Sequence, residues 1–292
     1  MQIQKSFKGQ SAYGKLYLVA TPIGNLEDMT FRAIQTLKEV SWIAAEDTRN
    51  TGLLLKHFDI PTKQISFHEH NAKEKIPDLI DLLKQGQNIA QVSDAGLPSI
   101  SDPGHDLVKA AIMEDIAVVT VPGASAGISA LIASGLAPQP HIFYGFLPRK
   151  SGQQKQFFES KKDYPETQIF YESPHRVADT LENMLVVYGD RSVVLVRELT
   201  KIYEEYQRGH ITELLESIAE TPLKGECLLI VEGASQEVED KDEEDLFAEI
   251  QARLQQGIKK NQAIKEVAKI YQWNKSQLYA AYHEWEENQS DD

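Results

Sequence analysis

The sequence predicts an α/β protein of two α/β domains followed by a small helical domain, and three observations carry that prediction. Over residues 15–136, short apolar runs alternate with amphipathic stretches of about ten residues or more, the pattern of βα units around a parallel sheet. The turn-forming segment LAPQPH at 136–141 interrupts this pattern, and a new set of apolar runs begins after it. Beyond residue 236 acidic residues cluster, and apolar residues then recur at helical spacing. The expected domains are residues 1–138, 139–234 and 235–292.

Strands of the first domain are expected at 16–20 (LYLVA), 41–45 (SWIAA), 64–68 (QISFH), 88–93 (NIAQVS) and 116–121 (IAVVTV). Helices fit between them: Thr30 can cap one running to Glu39, and Pro103 suits the first turn of another through Met113. Polar loops follow nearly every strand, on the edge where open α/β sheets take ligands. The second domain should hold strands at 141–148, 169–173, 192–199, 202–209 and 227–233, with helices at 174–187 and 211–219. Adjacent runs around Lys201 suggest an antiparallel hairpin, which makes this half α+β in character. Residues 246–287 read as three short helices, either a packing or dimerisation bundle or a module that touches RNA.

Composition excludes several classes. A single cysteine, Cys227, permits neither a disulfide framework nor a cysteine zinc site, as suits a reducing cytoplasm. The opening MQIQKSFKGQSAYGK lacks the apolar segment of a secretory signal, so export is not expected. Residues 116–148 carry no Asp, Glu, Lys or Arg, but Pro122, Gly123, Gly135, Pro138 and Pro140 break the stretch, which reads as buried strand, turn and helix rather than a membrane span. The formal charge of -14 argues against a polyanionic partner on average. That charge is segregated: residues 236–250 hold eight acidic side chains and one Lys, whereas residues 251–283 hold six Lys or Arg and one Glu. No G-x-G-x-x-G, Walker loop, G-x-S-x-G elbow or H-E-x-x-H is present, and no metal site is expected.

Three Gly/Pro-rich loops follow strands of the first domain: TPIGN, SDAGLPSISDPG and PGASAG. Small residues at strand ends let backbone groups approach a ligand closely, as a nucleoside with an amino-acid tail requires. Asp94 and Asp102 in the long loop either cap turns or accept from a ribose or an ammonium group. Glu46, Asp47 and Arg49 end the second strand, where an ion pair with an N-cap accounts for them equally well. Glu172, Ser173, His175 and Arg176 gather at a strand-to-helix junction that suits an anionic or hydroxylated substrate, and Arg197 ends the next strand similarly.

With these loops in hand, the chain resembles the tetrapyrrole-methylase-like, class III S-adenosylmethionine methyltransferases, and among them the bacterial 16S rRNA (cytidine-2'-O)-methyltransferase family. The resemblance rests on LYLVATPIGNLEDMT, AEDTR, SDAG-P-ISDPG, PG-SA, SGL, YESPHR, RELTK and KGE, in order over residues 16–226. Leu97, Ala124 and Tyr203 stand where that family usually has Thr, Pro and His. The resemblance implies two α/β domains of the tetrapyrrole methylase type with the active site in their cleft, S-adenosyl-L-methionine as cofactor, and a homodimer. It implies transfer of a methyl group to the 2'-hydroxyl of cytidine 1402 in 16S rRNA, free or in the small ribosomal subunit. A tetrapyrrole-type small-molecule methyltransferase and a non-catalytic ribosome-assembly factor that binds RNA are the rival readings. By carry-over, the cofactor should touch Pro22, Ser93, Asp94, Ala95, Gly96, Leu97, Ile100, Ser101, Ala124 and Ser125, with Phe146 and Gly225 following from the class layout. A ribose hydroxyl needs its proton accepted, which makes Glu46, Asp47, Glu172 and His175 the catalytic candidates, with Glu172 or Asp47 preferred. Arg49, Arg176 and Arg197 are expected on RNA phosphates, together with Lys259 and Lys260 of the helical module.

Overall fold

The computed structural model describes residues 1–4, 12–100, 102, 104–234, 242–271 and 273–290, with the backbone alone at 287–290. Five strands form the first sheet: β1 (Leu16–Val19), β2 (Trp42–Ala45), β3 (Gln64–Ser66), β4 (Ile89–Val92) and β5 (Val118–Val121). They lie in the order β3-β2-β4-β1-β5 with every pairing parallel, so their C-terminal ends share one edge. Alternate residues face opposite ways. Ile43, Ala45, Ala90 and Val92 pack with α1 (Phe31–Glu39) and α2 (Thr48–His57), whereas Leu16, Ala44 and Ile89 pack with α3 (Ala72–Lys84) and α4 (Gly104–Met113). Thr30 caps α1 by accepting from the Ala33 N–H, and Asp47 caps α2 by accepting from the Arg49 N–H. Pro103, expected in the first turn of α4, lies outside the described residues.

The uncharged stretch from 116 to 148 contains β5, α5 (Ala126–Ser134) and β6 (His141–Phe146). With β7 (Thr167–Glu172), β8 (Ser192–Arg197), β9 (Glu205–His210) and β10 (Cys227–Val231), β6 builds a second sheet of order β6-β7-β10-β8-β9. Only β6 and β7 are parallel, and β8 and β9 form the hairpin expected around Lys201. One face is covered by α6 (Ser151–Glu159), α7 (Val177–Tyr188) and α8 (Ile211–Glu220) through Phe158, Leu181, Met184, Ile211 and Leu214. The opposite face meets α5 through Ala130 and Leu131, with Ala126 packed beside them. A nine-residue helix is about 14 Å long, so part of this face stays uncovered by helix. Helix α7 begins at Val177 rather than Pro174 because the Ser173 N–H goes to the Glu172 carboxylate and the Arg176 N–H closes a turn onto the Ser173 carbonyl.

Residues Met1–Ala234 make one compact unit and Ser235–Asp292 a second. The second holds α9 (Glu243–Gln255), α10 (Lys260–Ile270) and α11 (Lys275–Ser290) around Leu246, Ile250, Ile264, Val267, Leu278 and Tyr282. Among the described residues no helix is long and apolar enough to cross a membrane.

Candidate functional site

The uncovered face of the second sheet and the loops at the C-terminal edge of the first enclose a cavity of about 680 Å³. Phe143, Phe146, Tyr171, Val196 and Leu228 supply its apolar wall. Facing them are Ile23 after β1, Glu46 after β2, Ser93, Ala95, Gly96, Leu97 and Ile100 after β4, and Ser125 after β5. A parallel sheet delivers these four loops to one edge, which is why residues far apart in sequence meet. Thr21 and Gly96 exchange two backbone hydrogen bonds of 2.9 and 3.0 Å, pinning the first loop to the third. Gly96 adopts φ +76°, where a side chain would strain the turn.

At the far wall Gly225 adopts φ +85°, and an added Cβ would lie 2.3 Å from Glu198 Oε1. That carboxylate accepts from the Glu226 N–H and from Lys201 Nζ, both at 2.9 Å. Lys201 also pairs with Glu226 at 3.1 Å, and its stem packs where a Cβ on Gly24 would be, 2.6 Å from Lys201 Cγ. Lys201 therefore joins the first loop to the second sheet. Sequence reasoning missed this role, and of the apolar wall it named Phe146 alone; the signal at Lys201 was polar residues bunched after β8. Burial pushes the Cys227 thiol on this wall up to about 11, so it stays protonated at neutral pH.

Carboxylates gather at this edge of the cavity. Burial raises the Glu46 carboxyl above the usual carboxylate range, and repulsion from Asp94, Asp102 and Asp47 adds to it. Glu46 Oε2 accepts from the Asp94 N–H at 3.3 Å. Asp102 is occupied in holding the loop: it accepts from Gln91 Nε2, the Ser99 N–H and the Gly104 N–H, each at 2.8 Å. Asp47 lies off the cavity, where hydrogen bonds from Arg49 hold its carboxyl down to about 2.

Glu172 lines the cavity, yet its side chain has no exposed surface. Oε1 accepts from the Ser173 N–H at 2.8 Å and faces Arg176 at 3.3 Å, while Oε2 accepts from Thr180 Oγ1 at 2.9 Å. Arg176 donates onward to the Pro148 carbonyl at 2.8 Å. His175 is exposed and off the cavity.

Pro22 and Asp94 line a second hollow of about 340 Å³, which shares Ser93 with the first. Ala124 sits behind Gly96, its carbonyl 3.6 Å from a Cβ built there, and Ser101 lies outside the described residues. Among the cations, Arg49 pairs with Asp47, Arg197 with Glu205 and Lys260 with Glu286, while Lys259 is exposed. His68 and His70 stand with ring centres 5.9 Å apart, but among the described residues no group of three or more His, Cys, Asp or Glu could hold a metal ion.

An open parallel sheet and a mixed sheet that share a largely apolar cavity with an acidic rim define an α/β protein of two sheets built to hold a small organic ligand at strand ends. The chain belongs to the tetrapyrrole (corrin/porphyrin) methylase family, whose model matches residues 15–215. A ribosomal RNA small subunit methyltransferase I of Streptococcus pyogenes serotype M1 is 72% identical over 286 residues, 97% of this chain and 100% of that protein. The protein of that name from Bacillus subtilis (strain 168) is 49% identical over 287 residues, 96% of this chain and 98% of its own. Uroporphyrin-III C-methyltransferase from Thermus thermophilus, solved in complex with S-adenosylhomocysteine, shares the fold at a TM-score of 0.52 and 19% identity, covering 75% of this chain and 97% of that one.

Proposed function

We propose that the chain is a cytoplasmic enzyme that transfers the methyl group of S-adenosylmethionine to the ribose 2'-hydroxyl of cytidine 1402 in the 16S rRNA of the small ribosomal subunit. The cavity carries this reading. Its volume of about 680 Å³ falls within the roughly 300–1,000 Å³ of pockets that bury a ligand of that size. The aliphatic and aromatic wall suits a purine, the carboxylates suit a ligand bearing sulfonium and ammonium charges, and the Ser93 and Ser125 hydroxyls suit its sugar and amino-acid tail. Phe146 and Gly225 then hold the cofactor from the second sheet, and Ser93, Ala95, Gly96 and Leu97 from the first, while Asp94 faces the second hollow instead. The names of the full-length relatives support small-subunit rRNA as the acceptor.

When bound, the cofactor supplies an electrophilic methyl group on a cationic sulfur. The chain has to align acceptor and donor and to remove the hydroxyl proton. Of the four candidate bases only Glu46 and Glu172 line the cavity, and Glu172 has no exposed surface and is held at both oxygens by groups of the fold. Glu46 therefore accepts the proton, its raised pKa bringing it closer to neutral pH. Lys259, exposed in the helical module, contacts phosphate.

Small subunits from a strain lacking this gene, incubated with the chain and methyl-labelled S-adenosylmethionine, test the reading. Label is expected in an alkali-resistant dinucleotide containing cytidine 1402. Label on a base, or no transfer to subunits or free rRNA, would refute it.

A further inference from the structure

We propose that the second hollow is a nucleobase site, taking a base with an exocyclic amino group that Asp94 reads. This rests on the RNA-methylating reading above and states where the acceptor's base is held. The hollow lies between the loop after β1 and helix α2, and its walls are of two kinds. Pro22, Leu26, Leu53 and Leu54 form the apolar side. Leu53 is 71% exposed and Leu26 41%, so aliphatic surface is bared to water at the rim, where a flat ring would cover it. Asp94 and Asn50 stand on the polar side.

The chemistry of Asp94 decides the ligand class. Its Oδ1 accepts from the Asp47 N–H and its Oδ2 from Asn50 Nδ2, each at 3.2 Å. An ionised carboxylate only accepts, with about four lone-pair sites, so both oxygens keep capacity for a further donor. At the wall of a hollow this size, such a group attracts an amino group and repels a carbonyl, which favours cytosine over uracil. It repels phosphate equally, so the hollow does not hold RNA backbone.

Placement supports the same conclusion. The hollow and the main cavity meet at Ser93, which lines both, and at Glu46, which lines the cavity and accepts from the Asp94 N–H. A nucleotide turned out of its stack, with its base in the hollow, has its sugar at this partition, beside the carboxylate that removes the hydroxyl proton. The methyl donor occupies the other side. Asp94 thus determines specificity through the base and leaves the donor untouched.

The test uses the full chain and its Asp94→Asn variant, small subunits lacking the modification, and subunits in which the target cytidine is replaced by uridine. Calorimetric affinity for S-adenosylmethionine serves as the control for folding. The variant should raise KM for subunits by about 5- to 100-fold, the range of one good base contact. Its preference for cytidine over uridine in kcat/KM should fall by about as much, with cofactor Kd within about twofold of wild type. Unchanged KM and preference in the variant, with wild type active, would overturn the inference alone. So would a cofactor Kd that rises by the same factor as KM, since Asp94 would then belong to the donor's cavity. A wild-type chain that methylates no subunit removes the parent reading and this one with it.

Discussion

Thr180→Val tests whether Glu172 is held for structure or freed for chemistry. The change deletes one hydroxyl and nearly keeps the side chain's shape, at a fully buried position of α7. That hydroxyl donates to Glu172 Oε2 at 2.9 Å and accepts from Gln154 Nε2 at 3.2 Å. Gln154 loses little, because the same amide nitrogen also donates to the Pro148 carbonyl at 3.0 Å. Glu172 Oε2 loses its one donor among the described residues, while Oε1 keeps the Ser173 N–H and Arg176. A hydrogen bond to a charged group contributes about 1.5–3 kcal/mol, and the extra apolar surface of valine returns less than about 1 kcal/mol. The net expectation is a loss of about 2 kcal/mol, read as a lower urea midpoint with unchanged slope, or about 4–8 °C in Tm. Turnover at a temperature where the variant is folded should stay near wild type. A stability loss below about 0.5 kcal/mol, or a collapse of kcat with stability intact, would show that this network does not hold the carboxylate as described.

Two further changes probe the cavity from either side. Glu46 binds its proton more tightly in the folded chain than in the unfolded one, so its contribution is full below the ordinary carboxylate range and fades as pH rises through the raised value. At neutral pH the ionised side chain therefore costs stability. Glu46→Gln should raise Tm at pH 7 more than at pH 4 while lowering methyl transfer about 100-fold or more, measured by melting curves at both pH values and single-turnover labelling; an active variant would exclude Glu46 as the base. Gly225→Ala forces a side chain into φ +85° and against Glu198, so it should cost about 2 kcal/mol or more and weaken cofactor binding. Gly152→Ala, where an added Cβ meets nothing within 4 Å, is the control and should be neutral or stabilising.

The first sheet was legible because its strands are short and mostly apolar, with β2 and β4 buried almost throughout, and because Thr30 and Asp47 are residue types favoured as helix caps. The start of α7 was less so. The segment YESPHR reads as a helix beginning at its proline, and only coordinates reveal that the Glu172 carboxylate takes the Ser173 N–H and delays the helix to Val177. The same blindness affects the candidate bases. Glu46, Asp47, Glu172 and His175 are alike as letters at strand ends; what separates them is burial and partners, of which Arg49 beside Asp47 was in view, whereas Thr180 on Glu172 and Asp94 on Glu46 were not. Phe143 and Leu228 were invisible as cavity walls for a related reason. A residue facing an uncovered patch of sheet has the same alternation as one facing the core.

Magnitudes also rank the cations that RNA could use. The Arg49 side chain is 88% exposed, and its pair with Asp47 is open to solvent screening, so a phosphate can displace Asp47 at little cost. Arg176 differs: its partner Glu172 has no exposed surface, and stripping the cation from a buried carboxylate costs about 3–5 kcal/mol, more than a phosphate contact returns. Arg197 is tied to Glu205 and to the Lys224 carbonyl, and Lys260 is tied to Glu286. Of the five cations that sequence reading placed on RNA, Arg49 and Lys259 thus remain readily available. In a chain of net charge -14, so few phosphate contacts cannot by themselves supply specific affinity, because each neutralised phosphate adds only its share of counterion release. On the proposed reading part of the remainder comes from contacts that need no positive charge, and the hollow beside Asp94, apolar on one wall and acceptor-lined on the other, suits a contact of that kind.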